Sequence, residues 1–319
     1  MNAVVYSEYG GPEVLQLIDV EMPAPGPGEV LVKVHSAAVN PADWHLVRGV
    51  PFPIRMVTGG FRRPQPQRRV CGDFSGTIAA IGTGVTGVAV DDPVFGYSER
   101  GGALAEYLTV PADKVAGRPE RLTFDQAASV PLAGLTALQI LRKAQVRRGQ
   151  HVLIVGAAGG IGTLAVQIAK ASGAHVTGVQ STSAVDLVRS LGADRVIDYL
   201  GADFTKEDAR YDFVFDAVGK STFGACKPIL ESRGVYLSSE LGPRAENLYL
   251  PLITPLLGGK RVRFPVPVDI KSSLRLIKEL VEKGKFRPVI DRSYRIEEIR
   301  DAFTYVASGR KIGNVLLTM

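Results

Sequence analysis

The chain has 319 residues, enough for two domains at about 100–200 residues each. Its hydrophobic fraction of 45% and aromatic fraction of 7% belong to a chain with a packed core, which excludes a disordered or fibrous protein. The net charge of +6 is spread along the chain with no basic helix and no aromatic stacking motif, so no nucleic-acid partner is expected.

Residues 1–115 read as short strands punctuated by Gly and Pro. The first clear one is 30–34, where Val30, Val32 and Val34 alternate; 78–81, closed by Gly82-Thr83-Gly84, and 103–110 follow. Such spacing predicts a partly closed antiparallel β domain. Arg62, Arg63, Arg68 and Arg69, interleaved with Pro64 and Pro66, read as a solvated loop or as a lip that draws in an anionic cofactor or substrate. From 124 to 145 the pattern is helical, interrupted at Pro131. Strands and helices then alternate. A strand at 151–155 leads to a helix at 161–172, with Ile161, Leu164, Ala165, Ile168 and Ala169 on one face and Gly173 as C-cap. A strand at 176–179 precedes a helix at 183–191, where Ser183 and Asp186 have capping-box spacing and Gly192 closes the turn. Further strands fall at 195–198, 212–218 and 234–238. This βαβ rhythm predicts a doubly wound parallel sheet in an α/β protein. Helices at 272–283 and 296–307 and a strand at 312–318 return to the mixed character of the start. They are expected to complete the first domain, 1–120 with 265–319, so that the parallel sheet of 121–264 is inserted within it.

Cys71 and Cys226 are the only cysteines, which excludes a disulfide framework and a multi-cysteine zinc lobe and suits a reducing compartment. The first residues lack a basic region followed by an apolar stretch, and no apolar run approaches the roughly 18 residues of a membrane span. A cytoplasmic protein without a membrane partner is expected.

The strongest chemical signal is the run from Val152 to Gly162, in which a strand enters the turn Gly156-Ala157-Ala158-Gly159-Gly160-Ile161-Gly162 and a helix begins. Gly159 and Gly160 let the backbone approach a pyrophosphate, Gly162 permits close helix–strand packing, and the helix N-terminus offers N–H groups to phosphate. Read as G-x-G-x-x-G, the first glycine is replaced by Ala157. Turn, helix and second strand all sit where a dinucleotide site needs them, which points to Ala158, Gly159, Gly160 and Ile161 as cofactor contacts. An NAD site places an acid about 20 residues beyond the glycines. Here Gln180-Ser181-Thr182-Ser183 stands there, with no acid before Asp186. Nothing in that run repels a 2′-phosphate and Ser181, Thr182 and Ser183 can donate to it, so NADPH is favoured over NADH.

Asn40-Pro41-Ala42-Asp43, Cys71-Gly72-Asp73-Phe74-Ser75-Gly76, Gly134-Leu135-Thr136-Ala137, the glycine turn and Leu191-Gly192-Ala193-Asp194 together give the chain a resemblance over its whole length. It resembles the medium-chain dehydrogenases/reductases, in their zinc-free quinone oxidoreductase and enone reductase branch. The resemblance implies a GroES-like catalytic domain around a Rossmann domain. Positions matching the family's catalytic zinc ligands are Asn40, Gly72 and Leu132, which offer no thiolate, imidazole or carboxylate. Cys71 stands where the family has glycine and is assigned only packing. The resemblance further implies that Asn40 and Thr136 border the nicotinamide, orienting the ring or bonding the substrate oxygen as charge develops. Thr136 also reads as a hydroxyl bonding its own helix. Ala217 and Val218 after the fourth strand, Ser238 and Ser239 after the fifth, Tyr199 and Asn314 complete the expected cofactor contacts. His45 is a candidate proton donor beside Trp44, and equally a surface or structurally bonded histidine.

The implied activity is hydride transfer from NADPH to a quinone or to the C=C bond of an α,β-unsaturated carbonyl, without metal. Two alternatives stand beside it. One is an NADPH-binding relative without catalysis, serving as a structural, sensor or RNA-associated protein. The other is a reductase of simple carbonyls. A homodimer is also expected, with 248–257 as a covering element and 261–268 as an edge strand that a second copy pairs.

Overall fold

The structure, a computed structural model, describes residues 1–264 and 270–319. The chain divides into two compact units: Met1–Leu132 with Ile270–Glu282 and Pro288–Met319, and Ala133–Asp269 with Lys283–Arg287.

The first unit is built on a seven-stranded sheet in the order Ile290–Arg295, Asn314–Thr318, Glu29–Val39, Asp73–Ile81, Pro93–Tyr97, Val115–Gly117, with Tyr107–Pro111 also paired to Glu29–Val39. The pair Ile290–Arg295 and Asn314–Thr318 is parallel, and the others are antiparallel. Glu29–Val39 lies inside this sheet, so Leu31 is buried along with Val30, Val32 and Val34, where simple alternation predicts one buried face. Phe74, Val315 and Leu317 from the strands meet Ala302 and Phe303 of the helix Ile299–Ala307 in one apolar cluster.

A second, three-stranded sheet orders Gln16–Asp19, Asn2–Tyr6 and Arg68–Arg69. Half of the expected basic loop is therefore a short strand. Arg68 and Arg69 pair with Tyr6 and Val5 and are half-buried, while Arg62 and Arg63 stay exposed. Strand-and-turn punctuation also hides two helices, Pro41–Arg48 and Ile54–Thr58. The first has Asn40 as N-cap, Pro41 in its first turn and Gly49 at φ 63° closing it, the ordinary start and stop signals of a helix. The unit continues past residue 120 because Phe124–Ala128 is bonded to its sheet. Ser75 Oγ donates to the Phe124 carbonyl at 2.6 Å, and Ser36 Oγ donates to Asp125.

The second unit holds a six-stranded sheet, parallel throughout, in the order Arg195–Asp198, His175–Gln180, His151–Val155, Tyr211–Asp216, Leu230–Ser238, Arg261–Arg263. In chain order this is 3-2-1-4-5-6, and the direction of winding reverses between His151–Val155 and Tyr211–Asp216. Val152, Leu153 and Ile154 are fully buried, as a central parallel strand covered on both faces requires. The helix Gly160–Ala171 buries Leu164, Ala165, Ile168 and Ala169.

The expected capping box at Ser183 does not form. A 3-10 turn, Thr182–Ala184, comes first and the helix proper is Val185–Ser190, so Asp186 falls one position early and no side chain caps the start. The Ser183 hydroxyl faces that of Ser181 at 3.3 Å. At the far edge of the sheet, Glu246–Ile253 is a helix, Arg261–Arg263 is the terminal strand, and Leu252, Leu256 and Leu257 are 75%, 86% and 76% exposed. Residues 265–268 of the expected edge strand, and the domain boundary expected at 264/265, reach outside the described residues. Among the described residues no helix is long and apolar enough to cross a membrane.

Candidate functional site

The glycine turn sits at the carboxyl end of His151–Val155, at the point where the winding reverses. Gly156 has φ 76°, and a Cβ there would meet Val218 Cγ2 at 2.8 Å, so conformation and space both demand glycine. Its N–H and that of Ala157 donate to the Val179 carbonyl at 3.0 and 3.2 Å, tying the turn to the second strand. Ala157 is fully buried, and its methyl group fills space left by Gly178, whose own Cβ would lie 3.0 Å from it. Gly159 is the N-cap of Gly160–Ala171 and supplies no side-chain cap, so the first helix amides and the positive end of the dipole are left for an anion. Ala158, Gly159, Gly160 and Ile161 all lie in this cradle.

Next to the turn, Gln180 accepts from Ala158 N–H through Oε1 at 3.2 Å. Ser181, Thr182 and Ser183 follow it and Tyr199, 53% exposed, is tied to it by a bond from its N–H to the Gln180 carbonyl at 3.2 Å. The structure thus brings these sequence candidates together. It adds one that the linear reading misses. Asp198 pairs in register with Gln180 across the parallel strands, and its carboxylate accepts from the Thr182 hydroxyl. That bond holds Asp198 below the usual carboxylate range. An acid does stand beside Ser181–Ser183, supplied by the third strand. Counting from the glycines could not find it; aligning the ends of the second and third strands could.

On the other side of the turn, Asp216 is fully buried and accepts from Val218 N–H at 3.1 Å, Lys220 N–H at 3.3 Å and Ser221 N–H at 2.7 Å. Burial raises its carboxyl above the usual range while those three bonds oppose the shift. Asp216 therefore shapes the loop that carries Ala217 and Val218. Ser238 ends the neighbouring strand, its hydroxyl accepting from Glu240 N–H at 3.1 Å. The Ser239 hydroxyl is buried without a partner, as is Asn314 Oδ1 in the first unit, whose amide nitrogen donates to the Val289 carbonyl at 3.2 Å. Buried polar atoms of this kind call for a partner from outside the chain. Within the second unit, the Ser239 orphan, the uncapped helix and the glycine cradle fit a dinucleotide. Thr136 is half-buried in the second turn of Pro131–Ala144.

In the first unit, Asn40 and Leu132 converge on Asp73, which the motif reading quotes without giving it a role. Asn40 Nδ2 donates to Asp73 Oδ2 at 2.6 Å, and Leu132 N–H donates to Asp73 Oδ1 at 2.6 Å. Asp43 accepts from Asn40 N–H at 2.8 Å, and the Asn40 side chain and the Cys71 thiol also bond it. Both carboxyls are buried. Burial pushes Asp43 up to about 6 and Asp73 well above its ordinary value, with their mutual repulsion adding to the rise at Asp73. Cys71 has φ 59°, the left-handed region, which explains why glycine is the ordinary occupant and gives this departure a physical basis. Burial, then the two carboxylates, push its thiol well up. A side chain at Gly72 would meet the Ser98 carbonyl oxygen at 2.5 Å. An amide, a bare backbone and an alkyl group do not fit a zinc ion, and among the described residues no group of three or more His, Cys, Asp or Glu is placed to hold a metal. His45 lies on the helix Pro41–Arg48 next to Trp44, and both are half-buried.

A glycine cradle at the reversal point of a 3-2-1-4-5-6 parallel sheet, in a chain that also carries a separate β unit, defines a dinucleotide-dependent dehydrogenase or reductase. The comparisons agree. Residues 26–120 match the family described as alcohol dehydrogenase GroES-like domain, and 191–317 the family described as zinc-binding dehydrogenase. The chain is 33% identical to the Mus musculus protein named NAD(P)H oxidoreductase RTN4IP1, mitochondrial, over 100% of this chain and 89% of that one. It is 32% identical to the NADPH-dependent alkenal/one oxidoreductase, chloroplastic, of Arabidopsis thaliana, over 99% and 79%. The Escherichia coli quinone oxidoreductase complexed with NADPH superposes with a TM-score of 0.86 at 25% identity over 100% of both chains. The chain belongs to the medium-chain dehydrogenase/reductase family, in its quinone oxidoreductase and enone reductase branch. It is an oxidoreductase with a nicotinamide cofactor.

Proposed function

We propose that this protein reduces quinones and the C=C bond of α,β-unsaturated carbonyls with NADPH and without zinc. The observation that carries the reading is the donor set at Asn40, Gly72 and Leu132, which offers no metal ligand in a chain whose dinucleotide cradle is intact. Reduced nicotinamide supplies the hydride. The chain's own work is to bind and orient. The amides at the start of Gly160–Ala171 take the pyrophosphate, and Ser181, Thr182, Ser183 and Tyr199 surround the 2′-phosphate. Without a Lewis acid, conjugated acceptors are favoured, because hydride delivered to the β-carbon spreads the charge to a distant oxygen. A saturated ketone localises that charge at once.

NADPH oxidation over a panel of quinones, enones and matched saturated ketones tests the reading. Quinones and enones should turn over well above the ketones, and activity should survive chelator. A saturated ketone reduced as fast as its matching enone defeats it, as does activity lost to chelator and restored by zinc. NADPH should bind more tightly than NADH in fluorescence titrations; equal affinity, or an NADH preference, removes that part. The exposed Leu252, Leu256 and Leu257 beside the terminal strand Arg261–Arg263 support a homodimer at that sheet edge, which a monomer mass in light scattering would exclude.

A further inference from the structure

Between Asp43 and Asp73 the chain carries no acidic residue, while Arg48, Arg55, Arg62, Arg63, Arg68 and Arg69 all fall in that interval. Within it, Gly49 at φ 63° ends the helix Pro41–Arg48, Pro51 and Pro53 interrupt the helical run, and the short helix Ile54–Thr58 is closed by Gly59 at φ 106°. Two residues staple this segment. Arg55 donates from Nε to the Gly49 carbonyl at 3.0 Å and from Nη1 to the Phe61 carbonyl at 2.8 Å, with its guanidinium 4.6 Å from the centre of the Tyr9 ring. The Tyr9 hydroxyl donates to the Gly60 carbonyl at 2.8 Å and also bonds Thr58. The apolar side chains outside these staples stay in solvent. Val50, Phe52, Met56 and Phe61 are 44%, 58%, 69% and 53% exposed, and the rings of Phe52 and Phe61 stack at 5.4 Å. Arg48 just before the segment and Arg62 and Arg63 just after it are exposed, and none of the three has an ion-pair partner among the described residues.

We propose that the segment 50–61, with its flanking arginines, docks the protein on an anionic lipid bilayer. The exposed Phe and Met side chains enter the headgroup region, and the guanidinium groups meet lipid phosphates and carboxylates. Large apolar side chains set among arginines with no acid nearby have the composition of an interfacial membrane element, and such a contact needs no spanning helix. The other exposed apolar stretch, 248–257, lacks that complement, because no Lys or Arg lies between Arg244 and Lys260. The staples at Arg55 and Tyr9 hold the apolar tips outward before a membrane is met, so little of the segment is left to order on binding. The inference goes beyond the proposed function and does not depend on which acceptor the enzyme reduces. It gives the arginine cluster a lipid ligand in place of the solvent or the cofactor that the linear reading offers it.

The test is co-sedimentation of the full chain with vesicles of phosphatidylcholine and phosphatidylserine in equal parts, and with vesicles of phosphatidylcholine alone. The first should carry the protein down and the second should not, and added salt should weaken the binding. An arginine near an anionic leaflet contributes about fivefold in affinity, so Arg62→Gln with Arg63→Gln should weaken binding roughly twentyfold. Arg147→Gln with Arg148→Gln removes the same charge from two exposed arginines of the second unit and should change it less than about twofold. Met56→Glu should weaken it about tenfold or more. All these side chains are exposed, so Tm should hold in every variant. Cys71 and Cys226 are buried, so Met56→Cys and Leu256→Cys each offer one accessible thiol for an environment-sensitive dye. The dye at position 56 should shift to the blue on the anionic vesicles, and the dye at position 256 should not. Failure to sediment with the anionic vesicles overturns the proposal, as does an equal loss from the two arginine pairs or a shift at 256 without one at 56. Binding that Met56→Glu leaves unchanged also overturns it, because the surface would then be a contact for any polyanion, a nucleic acid or an acidic protein included.

Discussion

Gly162 is where the cradle is most exposed to a single methyl group. A Cβ built there would lie 2.9 Å from the Ala157 carbonyl carbon and Cα, and closer still to the Gly156 carbonyl oxygen. All three atoms are backbone, held by the bonds from Gly156 and Ala157 to Val179, so no side chain can swing aside. Restoring ordinary separation needs the helix start to back away by roughly 1 Å. Overpacking of this kind costs about 1–3 kcal/mol. The movement also takes the first helix amides off the phosphate, and Gly162→Ala should weaken NADPH binding tenfold or more as well as lowering Tm. Gly159→Ala is the control. Its Cβ would meet Gly156 O at 3.4 Å and Val218 Cγ1 at 3.9 Å, ordinary contacts, and φ is −72°. That variant should keep its Tm, and it should lose affinity only if the phosphates come close to this backbone. Differential scanning fluorimetry and cofactor titration read both effects. Gly162→Ala protein with unmutated Tm and unmutated NADPH affinity would refute the close-approach argument.

Three further outcomes follow from the same contacts. Asp198→Asn removes a negative charge bonded to Thr182 and should raise the NADPH-to-NADH affinity ratio by up to about fivefold, the range of exposed charge pairs; an unchanged ratio in cofactor titrations would place Asp198 away from the 2′-phosphate. Asp216→Ala strands the N–H groups of Val218, Lys220 and Ser221, at about 1–3 kcal/mol for each that stays dry, so Tm should fall by several degrees with Asp216→Asn in between; an unmutated Tm contradicts the loop assignment. Asp43 titrates near 6 when folded against 3.8 ordinarily, so its protonated form is favoured by folding. The stability it contributes is present below pH 3.8 and lost as pH rises through about 6, amounting to about 3 kcal/mol. The stability of the unmutated protein relative to Asp43→Asn should therefore decline from pH 4 to pH 7 in denaturant titrations, and a flat difference would count against it.

The parallel sheet was legible because strand, glycine turn and helix each leave a local signature, and 151–155 and 195–198 fall where the spacing predicts. Helix starts were less so. The turn Thr182–Ala184 delays Val185–Ser190, and nothing in Ser183 or Asp186 announces the delay. Pro41–Arg48 carries good caps, yet it sits among strands and turns whose rhythm conceals it. The site divides the same way. Residues contiguous with the glycine run were visible, whereas Asp198 and Asp73 act across strands, and a lone aspartate in a linear sequence carries no sign of which amide it will meet.

The two cysteines carry one more consequence. Quinones and conjugated carbonyls add to thiolates, so a protein that handles them risks alkylation by its own substrates. Cys71 is sealed between two buried carboxylates with its thiol pushed well up, and Cys226 is fully buried, beside Ser221 Oγ at 3.1 Å, with its thiol raised by burial to about 11. Neither presents an anion to solvent. Neither thiol is therefore open to addition by the quinones and conjugated carbonyls that the proposed function has the enzyme reduce.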